Sequence, residues 1–203
     1  MESVFKLEEW RKRLEVQVPD LVTRELGQKI YKGMDLALKS VPSGDTLVID
    51  FSGIRVVDTS FADETVLRLL KELVEGKYEE RFLCLFNPSE STIANLQGAV
   101  ARKRLRLAFF ALFPQKKWQC VGRYDVSDFP DDQIEPLLQE TLRLVVDRER
   151  LTARELALKE KIELNNASTR LKKLHDARLV RREEIISEEG KSYVYKPIAQ
   201  LRQ

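Results

Sequence analysis

The sequence is poor in the residues from which metal and redox sites are usually built. Among its 203 residues are two cysteines, Cys84 and Cys120, and one histidine, His175. No Cys-x-x-Cys pair occurs, which excludes a zinc cluster held by sulfur and imidazole. Isolated cysteines inside apolar runs are typical of a reducing compartment, where disulfides are rare.

Long apolar segments and the usual catalytic motifs are also missing. No run reaches the roughly eighteen apolar residues of a membrane span, and the charged residues 1–13 lack the apolar centre of a signal peptide. We therefore expect a cytoplasmic protein without membrane contact. The chain has no glycine-rich phosphate loop and no credible cysteine–histidine pair, so we expect neither an enzyme nor a cofactor.

The charges nearly cancel, with 35 lysines and arginines against 33 aspartates and glutamates. The field of the whole molecule thus gives little attraction to nucleic acid, and any affinity for DNA has to arise from local clusters. The chain is 43% apolar, and at this length it can build two domains with a core in each.

Predicted strands and helices alternate in the first part of the chain. Residues 14–18 alternate apolar and polar side chains, as in a strand, and residues 21–41 have helical spacing. A nearly continuous apolar run at 46–51 predicts a strand buried on both faces. Further strands are predicted at 81–86, 107–113 and 116–121, with helices beginning at 58–60 and 87–89. The alternation predicts a layered α/β sheet with right-handed crossovers.

Residues 47–64 (LVIDFSGIRVVDTSFADE) resemble a STAS domain, the fold of sulfate transporters and anti-sigma factor antagonists. The resemblance is closer to the STAS-like domain of unknown function with a Ser-Phe-Ala-Asp-Glu signature, and it covers about residues 5–121. In the antagonists, an Asp-Ser-Ser-Gly motif at this turn presents a serine to a kinase that is also the partner. The resemblance implies a phosphorylation or partner-switch site at Asp58, Thr59 and Ser60, with Phe61 in place of the glycine. The same residues would also serve as a plain helix cap.

Residues 151–197 predict two helices, a turn and a hairpin. Thr152 and Glu155 have the spacing of a capping box, and Asn165 with Asn166 predicts a cap for the second helix. The second helix has a buried stripe of Ala167, Leu171, Leu174 and Ala177, and we expect His175 on its surface. A turn-rich segment at 125–132 predicts a domain boundary, which gives domains 1–127 and 128–203.

This order of helix, turn, helix and hairpin resembles the winged helix–turn–helix of MarR- and ArsR-type transcription regulators. The resemblance implies that the second helix enters a major groove while the hairpin contacts the DNA backbone. Glutamates at 183–184 and 188–189 argue against contact between the hairpin and phosphates. The predicted DNA-contacting residues are Asn165, Asn166, Ser168, Thr169, Arg170, Lys172, Lys173, Arg181, Arg182 and Lys191.

The expected fold class is therefore α/β, with an N-terminal STAS-like sheet domain and a C-terminal winged helix–turn–helix domain. The favoured function is a transcriptional regulator that binds double-stranded DNA as a homodimer, because half-sites on DNA are usually paired. One alternative is a partner-switching adaptor, regulated by a kinase-like ATPase at Thr59 or Ser60, that does not bind DNA. A third hypothesis is a small-ligand sensor that uses the turn at 58–61.

Overall fold

The computed structural model describes residues 3–103, 107–114, 117–123, 136–187 and 190–199. Its strands are β1 (Ser3–Lys6), β2 (Asp20–Leu21), β3 (Thr46–Asp50), β4 (Val56–Val57), β5 (Phe82–Phe86), β6 (Leu107–Phe113), β7 (Lys117–Arg123), β8 (Leu151–Thr152), β9 (Val180–Ser187) and β10 (Gly190–Pro197). Its helices are α1 (Leu7–Arg13), α2 (Arg24–Ser40), α3 (Thr59–Glu64), α4 (Val66–Val74), α5 (Glu90–Arg102), α6 (Pro136–Arg148), α7 (Ala153–Glu160) and α8 (Leu164–Asp176). The predicted α/β class is confirmed.

A five-stranded sheet in the order β1-β3-β5-β6-β7 organises the fold. The first four strands are parallel, and β7 pairs antiparallel with β6. Along β3 the side chains alternate between two apolar clusters, with Leu47 and Ile49 in one and Val48 in the other. The continuous apolar run at 46–51 therefore reflects burial on both faces, as predicted.

Helices α2, α4 and α5 cover the first face of the sheet. The predicted helix at 21–41 is α2, whose buried residues include Ile30, Met34 and Leu38. These side chains join Leu69 of α4 and Leu96 of α5 in one cluster with the inward residues of the strands.

The C-terminal segment covers the second face. Phe82 and Phe110 of the sheet share a single buried cluster with Leu142 of α6 and with Leu171 and Leu174 of α8. The two predicted domains thus have a continuous apolar contact. The predicted boundary at 125–132 lies outside the described residues, so the division into 1–127 and 128–203 stays a prediction.

The predicted strand at 14–18 is wrong, and the chain begins with β1 and α1 instead. Residues 14–19 form a turn and a loop, which the Arg11 guanidinium holds by donating to the Val16 carbonyl. Alternating apolar residues appear here without a partner strand, and Val18 is half exposed. Helix α1 buries only Leu7 fully, so it carries almost no apolar periodicity for a sequence pattern to detect.

The helix predicted after Asp58 is broken at Thr65, whose φ and ψ are −119° and −93°. The Thr65 hydroxyl donates to the Phe61 carbonyl at 2.7 Å, which competes with a continuous helix. Asp63 and Glu64 lie at the carboxyl end of the short α3. Asp63 is paired there with Lys103 at 2.7 Å, and Glu64 with Arg24.

Candidate functional site

A capping box fixes the start of α7, as predicted. The Thr152 hydroxyl accepts from the Glu155 amide at 3.2 Å, and the Glu155 carboxylate accepts from the Thr152 amide at 2.7 Å. This backbone hydrogen bond, with a further one from the Thr152 hydroxyl, lowers the pKa of Glu155. Helix α7 ends at Lys161, whose φ of 53° is left-handed and turns the chain toward α8.

The predicted asparagine cap of α8 is wrong. Glu163 occupies the cap position and its side chain makes no capping hydrogen bond, so Asn165 and Asn166 lie inside the first turn of the helix. The Asn166 side chain instead accepts from Arg170 Nε at 3.0 Å, and the Thr169 hydroxyl donates to the Asn165 carbonyl at 2.8 Å.

The two faces of α8 are divided as the sequence predicts. Ala167, Leu171, Leu174 and Ala177 are fully buried. The opposite face carries most of the predicted DNA-contacting residues: Asn165, Asn166, Ser168, Thr169 and Lys172 are exposed, and Arg170 and Lys173 are half-buried. Polar donors and basic side chains are thus presented together on one surface of one helix.

The hairpin beside α8 carries acidic side chains that are neutralised by lysines. Glu184 pairs with Lys191 at 2.6 Å, and Glu183 pairs with Lys196 at 2.5 Å. The hydrogen bond to Glu184 raises the pKa of Lys191, which therefore stays charged. The other two glutamates of the predicted hairpin, at 188 and 189, lie outside the described residues. The charge argument against phosphate contact is thus weaker than the sequence alone suggests.

An open groove of about 530 Å³ lies between the starts of α7 and α8 and the hairpin. Its lining includes Thr152, Arg154, Asn165, Ser168, Lys191 and Tyr193. Arg182 lies over the Tyr193 ring, with the guanidinium carbon 4.6 Å from the ring centroid. The groove thus combines hydroxyl, amide and cationic groups, which is the chemistry that binds phosphate and sugar oxygens.

Arg181 does not belong to this surface, although it was predicted to contact phosphate. Its guanidinium Nη2 donates to the Ile198 carbonyl at 2.6 Å and to the Thr46 hydroxyl at 3.0 Å, and the side chain is three-quarters buried. Alternation along β9 places Arg181 and Arg182 on opposite faces of the hairpin. Arg181 faces the large sheet and is removed from the candidate DNA contacts.

His175 was expected on the surface, and that prediction is wrong. It is 4% exposed, and its Nε2 lies 3.0 Å from Glu80 Oε2 in the loop before β5. Its ring meets Phe82 edge-on, with 6.4 Å between the centroids. No local pattern signals this contact, because His175 lies beside the buried stripe and its partners are far away in sequence.

The turn at Asp58 forms a second candidate site. The Asp58 carboxylate accepts from the Phe61 amide at 2.7 Å, which confirms the predicted helix cap, and from the Thr23 amide at 3.3 Å. Thr59 and Ser60 are half-buried, and neither hydroxyl has a hydrogen bond within the described part of the chain. Phe61, which stands in place of glycine, is fully buried in the core.

An apolar groove of about 330 Å³ lies next to this turn. Its apolar lining is Leu14, Val16, Val18, Val22 and Leu26, and Asp20, Thr23, Glu25 and Lys29 complete it. The hydrogen bond from the Thr23 amide to the Asp58 carboxylate joins the groove to the Asp58 turn.

Neither a metal cluster nor a membrane helix is found in the described residues. No group of three or more His, Cys, Asp or Glu side chains is placed there to hold a metal ion. None of the helices in the described ranges is long and apolar enough to cross a membrane.

Comparison with known proteins gives one family match. The family model described as STAS-like domain of unknown function (DUF4325) matches residues 27–85, which run from α2 to β5 and include the Asp58 turn. No curated protein and no solved structure matches the chain. The match supports the central part of the resemblance expected over residues 5–121, and it ends before α6, so the winged helix–turn–helix stays a prediction. Residues 27–85 of this chain are therefore similar to a STAS-like domain of unknown function.

Proposed function

We propose that the protein is a DNA-binding transcriptional regulator whose α8 reads the major groove under the control of the STAS-like region. The observation that carries the proposal is the exposed face of α8, where amide and hydroxyl groups lie beside basic side chains. Amide and hydroxyl groups read base edges, and basic side chains bind phosphates. DNA recognition needs both on one element.

Within α8 the side chains divide into these two roles. Asn166 and Thr169 carry donors and acceptors suited to base edges, and adenine pairs well with an asparagine amide. Lys172 and Lys173 supply charge for phosphates. The present bonds of Asn166 to Arg170 and of Lys172 to Asp176 are between exposed groups within one helix. Such pairs stabilise a helix only by about 0.2–0.5 kcal/mol and exchange readily for contacts with DNA.

The hairpin and its groove supply the backbone contacts. Lys191 lines the groove and is exposed apart from its pair with Glu184, and Arg182 lies over the ring of Tyr193, which also lines the groove. Exposed ion pairs are worth little, so a phosphate can replace the carboxylate at small cost. A homodimer would place two α8 helices at half-sites one turn of DNA apart.

The test is selection of bound duplexes from a random library, followed by affinity measurements on a recovered duplex at two salt concentrations. The variant Thr169→Ala/Lys173→Ala should bind about tenfold or more weakly, because it loses a base-edge donor and a phosphate contact. Lys32→Ala removes the same charge from the exposed side of α2 and is the matched control. Binding should weaken steeply with salt, by about one power of the salt concentration for each phosphate contact.

Two results would contradict the proposal. One is the recovery of no preferred duplex from the library. The other is equal affinity of the Thr169→Ala/Lys173→Ala and Lys32→Ala variants for the recovered duplex.

A second candidate function is a partner-switching adaptor, and the Asp58 turn favours it. The half-buried hydroxyls of Thr59 and Ser60 have no hydrogen bond to any described residue, and the neighbouring groove is mainly apolar. A phosphate there would add about two negative charges beside Asp58 and so change a docking surface sharply. Mass spectrometry of the protein from its own cells tests this: phosphate on Thr59 or Ser60 supports the adaptor, and its absence under all growth conditions argues against it.

A further inference from the structure

The carboxyl end of α8 is held at the amino ends of β3 and β5 by polar side chains. His175 Nε2 lies 3.0 Å from Glu80 Oε2, and Arg178 Nη1 lies 3.7 Å from the same oxygen. Arg178 Nε also donates to the Leu73 carbonyl at the end of α4, at 3.2 Å. These contacts join the proposed reading helix to residues of the STAS-like match.

Within the described part of the chain, two nitrogens at this contact are buried without a hydrogen-bond partner. They are His175 Nδ1, which lies 3.7 Å from Asp176 Oδ1, and Arg178 Nη1, which lies beyond hydrogen-bonding distance of Glu80 Oε2. Burying such groups costs free energy that a leucine at the same place would not cost. Apolar side chains would therefore hold the helix at a lower cost in free energy. The polar side chains are better explained by the single orientation of α8 that their contacts impose.

We propose that Glu80, His175 and Arg178 form a latch that fixes the orientation of α8 on the sheet and thereby sets its affinity for DNA. These are positioning residues, since they act through the exposed face of α8. The link to DNA rests on the proposed function, whereas the latch itself is a property of the free protein.

The geometry makes α8 sensitive to this contact. Its 13 residues span roughly 20 Å, so a small tilt at His175 displaces the side chains near Asn166 by a larger distance. Glu80 and the Leu73 carbonyl flank the loop after α4, and α4 follows α3 and the Asp58 turn. A partner or modification at that turn therefore has a short physical route to the latch through two consecutive helices.

The test uses the full chain with Glu80→Gln, His175→Phe and the double variant. His175→Phe keeps an aromatic ring beside Phe82 and removes the nitrogen that meets Glu80. Glu79→Gln is the matched control, because Glu79 is exposed and only loosely paired with Arg81, at 3.9 Å. Two quantities are measured: hydrogen exchange of the amides at 171–176, and affinity for the duplex recovered by selection.

We expect each single variant to raise exchange at 171–176 and to weaken duplex binding about five-fold, while the control leaves both unchanged. The double variant should be no worse than Glu80→Gln alone, because Glu80 is the shared partner of His175 and Arg178. The melting temperature distinguishes a loss of positioning from a loss of folding. In His175→Phe the affinity for the duplex should fall without a comparable fall in the melting temperature.

The latch is overturned if exchange at 171–176 is unchanged in both single variants, or if their effects multiply in the double variant. Failure of the proposed function gives a different pattern, in which the wild type binds no duplex. In that case the exchange measurement alone decides the latch.

Discussion

The two ends of α8 lie in opposite surroundings. At the amino end, Leu164 is 51% exposed and Asn165 and Asn166 face water. At the carboxyl end, Leu174 is fully buried and His175 is nearly so. The difference shows that one helix serves two purposes: its last turns hold the C-terminal segment on the sheet, and its first turns present polar groups. Stability and recognition should therefore respond to different substitutions along the same element.

The largest expected effect comes from the buried end. Leu174→Ala should lower the free energy of unfolding by about 2–5 kcal/mol, because it leaves a cavity in the cluster shared by α8 and the sheet. Leu164→Ala, the same change at the exposed end, should stay within about 0.5 kcal/mol. Denaturant unfolding of the full chain measures both, and similar losses at the two positions would contradict the division of the helix.

A smaller effect on the free energy of unfolding is expected at the start of α7. Thr152→Ala removes the hydroxyl that caps α7 and should cost about 1 kcal/mol of unfolding free energy. Thr152→Ser keeps the capping oxygen and serves as the control. Unfolding of the two variants by urea gives the comparison, and an equal loss in both would show that the methyl group matters instead of the cap.

Thr169→Ala should act in the opposite direction on stability. Thr169 is exposed in mid-helix and its hydroxyl bonds back to the Asn165 carbonyl, so alanine should stabilise α8 by about 0.5 kcal/mol. The same change should weaken binding to the selected duplex. Thermal unfolding and affinity measured on one preparation check this trade-off, and a variant that loses both stability and affinity would refute it.

The parts of the fold set by local chemistry were predictable from the sequence. The capping box at Thr152, the Asp58 cap, the doubly buried β3 and the stripe through Leu171 each follow from residues close together in the chain. The exposed polar face of α8 follows as well, since it is what remains when the stripe is buried.

The remaining features depend on contacts between distant residues. His175 meets Glu80 across 95 positions, and Arg181 meets Thr46 across 135. A basic side chain in a predicted strand is normally expected to face solvent. That expectation fails when the strand packs against another sheet, which the sequence does not reveal. The arginine and the histidine were therefore misplaced for one reason: sequence periodicity reports that a face is buried, but not what covers it.

The smallest expected effect is a pH dependence of the unfolding free energy, which should differ between the amino ends of α7 and α8. Hydrogen bonds from Thr152 hold the pKa of Glu155 below the ordinary glutamate value of 4.5, so the carboxylate contributes stability that is present above that pH. The contribution disappears as the pH falls through the lowered pKa. Unfolding free energies across this range should show that the advantage of wild type over Glu155→Gln shrinks with acid. Glu163→Gln is the control, because the Glu163 side chain does not cap α8. If the difference in unfolding free energy between wild type and Glu155→Gln stayed constant with pH, the charge of the Glu155 carboxylate would not contribute to the capping box.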